Sequence, residues 1–136
     1  LSLKGDPKQG KALIGRCYVC HKIGSAGVEF GPALAGWGSG QTRDVILKSI
    51  LDPSADISHG FEGTELIVKG DKKIQGFIQA EGDPLVIRVF GGQELVIAKA
   101  NIHSRKQVKT SFMAPASRLG LDAQQLRDIV EYLKLN

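Results

Sequence analysis

Between residues 61 and 100 the apolar side chains change period, and this limits the fold more than any other feature of the chain. Four runs, 61–69, 74–80, 84–90 and 94–100, are rich in Ile, Val, Leu and Phe, and Gly70-Asp71, Gly82-Asp83 and Gly91-Gly92 separate them. Such pairs close tight hairpins. In the third run Leu85, Ile87 and Val89 alternate with Val86, Arg88 and Phe90, the two-residue period of a half-buried strand. Four or five antiparallel strands are expected, enough to bury a small core where a lone hairpin is not. On either side the period is helical. Asp6-Pro7 caps and starts a helix whose apolar face is Ala12, Leu13 and Ile14. Thr42 caps a second over 43–51, with Val45, Ile46, Ser49 and Ile50 on one stripe and Asp52-Pro53 as its stop. Asp122 and Gln125 form a capping box before Leu126, Ile129, Val130 and Leu133, a stripe expected to pack on the first helix. Residues 24–40, with glycine at 24, 27, 31, 36, 38 and 40, read as a loop with little room for regular structure.

Length and composition narrow the class. A chain of 136 residues is expected to form one domain, 1–136, with the strands as an inserted sub-domain over 61–108. With 42% hydrophobic and 24% charged residues disorder is excluded, and the 17 glycines show no collagen period. No apolar run approaches the roughly 18 residues that span a bilayer. The start, Leu1-Ser2-Leu3-Lys4, has neither the basic region nor the apolar core of a signal peptide, so a soluble chain with any export signal removed is expected. Net charge is 18 − 14 = +4, a modest excess.

The two cysteines carry the chemistry. They stand in Cys17-Tyr18-Val19-Cys20-His21, and C-x-x-C-H is the c-type haem attachment signature. Two thiols add across the two vinyl groups on one porphyrin edge, and the next residue presents an imidazole to the iron. A turn of helix over five residues brings all three to one side. A thioredoxin-like pair needs its CxxC after a strand, whereas residues 6–16 read as helix. A structural zinc site wants four Cys or His ligands, and His59 and His103 are far apart in the chain. A Cys17–Cys20 disulfide closes too short a loop to stabilise much, and leaves His21 unexplained. For the sixth position the preferred ligand is Met113, the one methionine, in Ser111-Phe112-Met113-Ala114-Pro115 just before the last helix. Its loop position next to Pro115 argues against simple core filling. His103 and His59 are the bis-His alternatives.

Gly5-Asp6-Pro7-x-x-Gly10, then CxxCH, then Gly31-Pro32-Ala33-Leu34, a Met loop and a closing helix together resemble class I cytochrome c. More closely, residues 5–135 resemble the planctomycete-type haem-binding domains, in which a β-rich insert precedes the Met loop. Ile50-Leu51-Asp52-Pro53-Ser54 and Ile57-Ser58-His59-Gly60-Phe61-Glu62 are similar to that family's link into its insert. The resemblance implies an α+β fold: a cytochrome c-like helical haem domain with an inserted small antiparallel β sub-domain. It implies that the Pro32 carbonyl accepts the Nδ1 proton of His21, the alternative being that Pro32 only rigidifies its loop. Trp37 is implied as a donor to a haem propionate or as an apolar cover for the macrocycle. The chain departs from the pattern in having six residues between Gly10 and Cys17, one fewer than usual, which leaves open whether Leu13 or Ile14 meets the last helix.

With His21 and Met113 both on the iron no position remains for substrate, so the expected function is electron transfer by one covalently bound haem c, and no enzyme activity. No Ser-His-Asp set, paired-carboxylate motif or phosphate-binding glycine loop is present. The alternative is a diatomic-gas sensor with a labile distal ligand; a third reading is thiol redox chemistry without haem. The expected partner is another redox protein or a fused dehydrogenase-like domain. Lys99, Arg105, Lys106, Lys109 and Arg118 bracket Met113 without an acid between them, and either steer an acidic partner or form a solvated face. Nucleic acid is not expected, because no aromatic residues interleave the basic run. Thioether attachment in c-type proteins follows export, so a periplasmic or otherwise extracytoplasmic protein is expected.

Overall fold

Each α-helix begins where a capping side chain stands in the sequence. The computed structural model describes residues 4–136; residues 1–3, on which the reading of the chain's start largely rests, lie outside them. The chain runs α1 (Pro7–Leu13), a 3-10 turn (Ile14–Cys17), short strands β1 (Lys22–Ile23) and β2 (Ala26–Gly27), and α2 (Arg43–Leu51). Five strands follow, β3 (Gly63–Val68), β4 (Lys72–Ala80), β5 (Leu85–Val89), β6 (Glu94–Ile97) and β7 (Ile102–Val108), then α3 (Ala123–Leu135). The Asp6 carboxylate accepts the Lys8 amide proton with Pro7 in the first turn, and the Thr42 hydroxyl accepts from Val45. Asp122 and Gln125 cap each other's backbone. Each cap satisfies an amide that the helix leaves without a partner.

The described residues form two compact units, one running up to Asp56 and resuming over Met113–Asn136, the other Ile57–Phe112. In the first, α1 packs on α3. Gly10 makes this approach possible, since a Cβ there would lie 2.0 Å from the Asp128 carbonyl oxygen and 2.8 Å from Tyr132 Cβ. The buried Asp128 side chain accepts from the Asp6 amide at 2.7 Å and from Gln124 Nε2 at 2.9 Å, which ties the start of α1 to α3. All four residues of the α3 stripe are buried, together with Ile46 and Ile50 of α2. Each such side chain contributes about 1.5–3 kcal/mol of burial. Ile14 is buried in this core and Leu13 packs half-buried against it, so both residues of the short Gly10–Cys17 spacing contribute to the core.

In the second unit the strands make one antiparallel sheet in the order β6-β5-β4-β3-β7. Leu66, Val68, Leu85 and Ile87 form its core, and the inward residues of β5 alternate with Val86 and Arg88 as its period requires. Gly70 and Asp71 take positive φ in the turn between β3 and β4, the conformation a tight hairpin demands. A second aromatic layer, Phe61, Phe77, Phe90 and Phe112, meets edge-on or tilted with centroids 5.3–5.4 Å apart.

The expectation of a cytochrome c-like helical haem domain carrying a small β insert is corrected. Among the described residues there are three α-helices, of 7, 9 and 13 residues, against a five-stranded antiparallel sheet with its own apolar core, so the fold is β-rich. Two physical causes stand out. The glycine-rich residues 24–40 add only β2 and a 3-10 turn (Gly38–Gly40) where a helical domain would bury further helix surface. The fifth strand, β7, extends the sheet beyond the four apolar runs visible in the sequence.

Candidate functional site

At Ile14 the first helix tightens into the 3-10 turn that ends on Cys17. The Cys17 carbonyl then accepts amide protons from both Cys20, at 3.2 Å, and His21, at 2.8 Å. That single acceptor curls residues 17–21 into one turn, from which the two thiols and the imidazole all leave the chain. The following loop folds back along the turn. Val28 donates to the Tyr18 carbonyl at 2.9 Å, Gly31 to Cys20 at 2.6 Å and Leu34 to Lys22 at 3.0 Å. β1 and β2, which the glycine-rich reading of residues 24–40 did not anticipate, form the hairpin at the loop's base, with Lys22 opposite Gly27.

This return places the Pro32 carbonyl 2.6 Å from His21 Nδ1. A carbonyl only accepts, so the proton sits on Nδ1 and the lone pair on Nε2. Burial pushes the His21 pKa down, which favours the neutral ring, and the Pro32 hydrogen bond offsets this in part. A neutral, oriented imidazole with a free Nε2 lone pair is the form that ligates a metal.

Two glycines missed as site residues hold this geometry. A Cβ at Gly31 would stand 2.9 Å from His21 Cε1 and 3.1 Å from Nδ1. One at Gly27, which has φ +92°, would stand 2.0 Å from the His21 carbonyl oxygen. Gly31 was visible only as a member of the Gly31-Pro32 pair, and Gly27 had no signal beyond being one glycine among several.

Cys17 and Cys20 are half-buried free thiols. Burial raises both pKa values, and for Cys17 the Arg16 charge opposes the shift in part. Thiols kept protonated are the opposite of the activated thiolate in a thioredoxin-like pair. Among the described residues no three His, Cys, Asp or Glu side chains are arranged to hold a metal ion.

Cys17, Tyr18, Leu34, Trp37 and Met113 all pack half-buried against the core of the first unit. Cys17, Trp37 and Met113 thus border the same core, and Met113 has a packing role that the sequence reading argued against. His59 and His103 belong to the other unit; His59 is fully exposed with Nδ1 3.8 Å from Glu62, and His103 is exposed on β7.

The basic run divides. Lys99, Arg105, Lys106 and Lys109 lie in the sheet unit, and Arg118 lies in a 3-10 turn of the first. Arg105 donates twice to Glu81, at 2.9 and 2.7 Å, and Lys106 stands 3.2 Å from Glu65. Two of its cations are therefore already matched by carboxylates. Among the described residues no helix is long and apolar enough to cross a membrane. Compared with known proteins, the chain matches no family model and no curated relative.

Proposed function

We propose that the protein carries one haem c bound through Cys17 and Cys20, with His21 Nε2 and the Met113 sulfur as axial ligands, and that it transfers single electrons. The observation that carries this reading is the 2.6 Å hydrogen bond from His21 Nδ1 to the Pro32 carbonyl. It orients the ring, raises its basicity and directs the free lone pair outward, the preparation a ligating histidine needs. The donor set fits the group: two unpaired thiols on one turn, an imidazole held by its Nδ1 hydrogen bond, and a soft thioether packed, like Cys17, against the core of the first unit. When bound, the haem supplies one-electron chemistry between ferric and ferrous iron. The chain's own part is to hold the proton on His21 Nδ1 and to keep Met113 packed against the apolar core of the first unit. This reading rests on the site and is independent of the corrected fold class, because function resides in sites rather than folds.

With both axial positions filled the protein is a carrier and not a catalyst. Its partner is a redox protein or a fused dehydrogenase domain, and its place is outside the cytoplasm, where c-type thioethers are made. Visible spectra of oxidised and reduced protein, with and without carbon monoxide, test the reading. A covalent c-type spectrum unmoved by carbon monoxide is expected. A large shift on adding the gas indicates the sensor instead, and a colourless protein after production in a host with a haem-attachment system overturns both. In Cys17→Ala with Cys20→Ala any haem is expected to extract into acidic solvent.

A further inference from the structure

The sheet of the second unit ends on β6 at one edge and on β7 at the other, and the two edges differ in chemistry. β7 is guarded: His103, Arg105 and Lys106 stand exposed along it, and its register with β3 shifts between Ile67 and Val68. Charges and irregularities of this kind keep an edge from pairing with another chain. β6, Glu94-Leu95-Val96-Ile97, has a single charge, no proline and an unbroken register with β5. Val96 in its middle is 67% exposed, opposite the half-buried Val86. The Val89 amide donates to the Gln93 carbonyl at 2.9 Å, and from that bond the antiparallel ladder alternates. Leu95 and Ile97 therefore turn their backbone N–H and C=O to β5, while Val96 turns its own outward. Among the described residues no strand meets them there.

We propose that β6 pairs with β6 of a second copy of this chain, antiparallel about a two-fold axis at Val96, so that two five-stranded sheets become one. In that register Val96 exchanges both backbone hydrogen bonds with Val96 of the second copy, Leu95 lies opposite Ile97, and no like charges face one another. The strand begins at Glu94 and is followed by Lys99, so antiparallel pairing sets the acidic end of each copy beside the basic end of the other. The same operation on β7, about Arg105 or Lys106, lays a cation opposite its own copy, which is why the second copy belongs on β6. Four residues a side are far fewer than the roughly 20–30 of a stable interface, so the dimer is weak and reversible. The inference is independent of the haem reading, since β6 lies wholly in the sheet unit.

Sedimentation velocity of the full chain, over a concentration series up to about 1 mM at the weak end of the affinity scale, tests this. A monomer–dimer equilibrium is expected, with hydrogen exchange of the Val96 amide, followed by NMR, slowing as concentration rises. Val96→Lys and Val96→Glu each put like charges opposite one another on the axis, and each is expected to lower the association constant about tenfold or more. An equimolar mixture of the two variants is expected to regain association, because opposite charges then meet at the axis, a rescue that a merely damaged fold does not show. His103→Glu, on the other edge, is expected to leave the equilibrium unchanged. A chain that stays monomeric at every concentration, a mixture that associates no better than either variant alone, or association moved by His103→Glu and not by Val96→Lys overturns the proposal. So does protection of the Val96 amide only on adding an extended valine–threonine peptide, which assigns the edge to a different chain.

Discussion

Gly31 lies against the His21 ring so closely that a Cβ there would be 2.9 Å from Cε1 and 3.1 Å from Nδ1. The ring is held between this glycine and the Pro32 carbonyl, so its orientation depends on the absence of a side chain at residue 31. Gly31→Ala is expected to push the imidazole off the Pro32 carbonyl, destabilise the holoprotein by about 1–3 kcal/mol and lower the affinity of His21 for iron. Gly15→Ala is the control, because a Cβ on Gly15 would meet nothing within 4 Å and its φ is not positive. Thermal unfolding together with the position of the haem absorption bands checks both; equal behaviour of the two variants contradicts the account.

Met113 is expected to be the distal ligand, in preference to His59 and His103. Met113→Ala should abolish the weak near-infrared band of Met-ligated ferric haem, lower the reduction potential and admit carbon monoxide. His103→Ala and His59→Ala should do none of these. If His103→Ala produces the changes and Met113→Ala does not, the axial assignment is wrong while the attachment through Cys17 and Cys20 stands.

Gly10 sets the distance between α1 and α3. Gly10→Ala brings a methyl to 2.0 Å from the Asp128 carbonyl oxygen, a contact that only a shift of the backbone relieves. A loss of about 3 kcal/mol is expected, at the upper end of overpacking costs. Denaturant titration followed by circular dichroism measures it, and a loss below about 0.5 kcal/mol, the range of neutral surface changes, would show that the helices part freely.

Arg43 donates twice to Glu131, at 2.9 and 2.8 Å, linking the start of α2 to α3. These hydrogen bonds hold the Glu131 carboxyl below the usual glutamate range. The unfolded chain therefore binds a proton there at a higher pH than the folded one. The stabilisation is present at neutral pH and is lost as pH falls through the lowered folded value. Glu131→Gln is expected to be less stable than the parent at pH 7 and to converge with it in acid. Urea midpoints measured from pH 7 down to about 3, below the reference glutamate value, provide the check; a constant difference across the range refutes the linkage.

What was legible in the sequence is what local chemistry decides. Asp6-Pro7, Thr42 and the Asp122–Gln125 pair mark helix starts because a cap is made within three residues of itself. Cys17, Cys20 and His21 could be read as one site because a single turn spans them, and the four strand runs show because apolar residues are concentrated between turn pairs, with alternation plain in the third. The remainder depends on partners distant in sequence. β7 reads His-Ser-Arg-Lys-Gln between Ile102 and Val108 and has no apolar alternation, since as an edge strand it is held by its ladder to β3 and not by a buried face. Without pairing information it could be placed only as part of the expected sub-domain ending at residue 108, not as a strand of defined bounds. The charge of that strand is likewise a tertiary property, because Glu81 and Glu65 reach Arg105 and Lys106 only across the sheet. The balance between helical and β structure, the glycine contacts on His21 and the half-burial of Met113 belong to the same class. Each follows from which segments close against one another, and a sequence read residue by residue contains the side chains but not the distances between them.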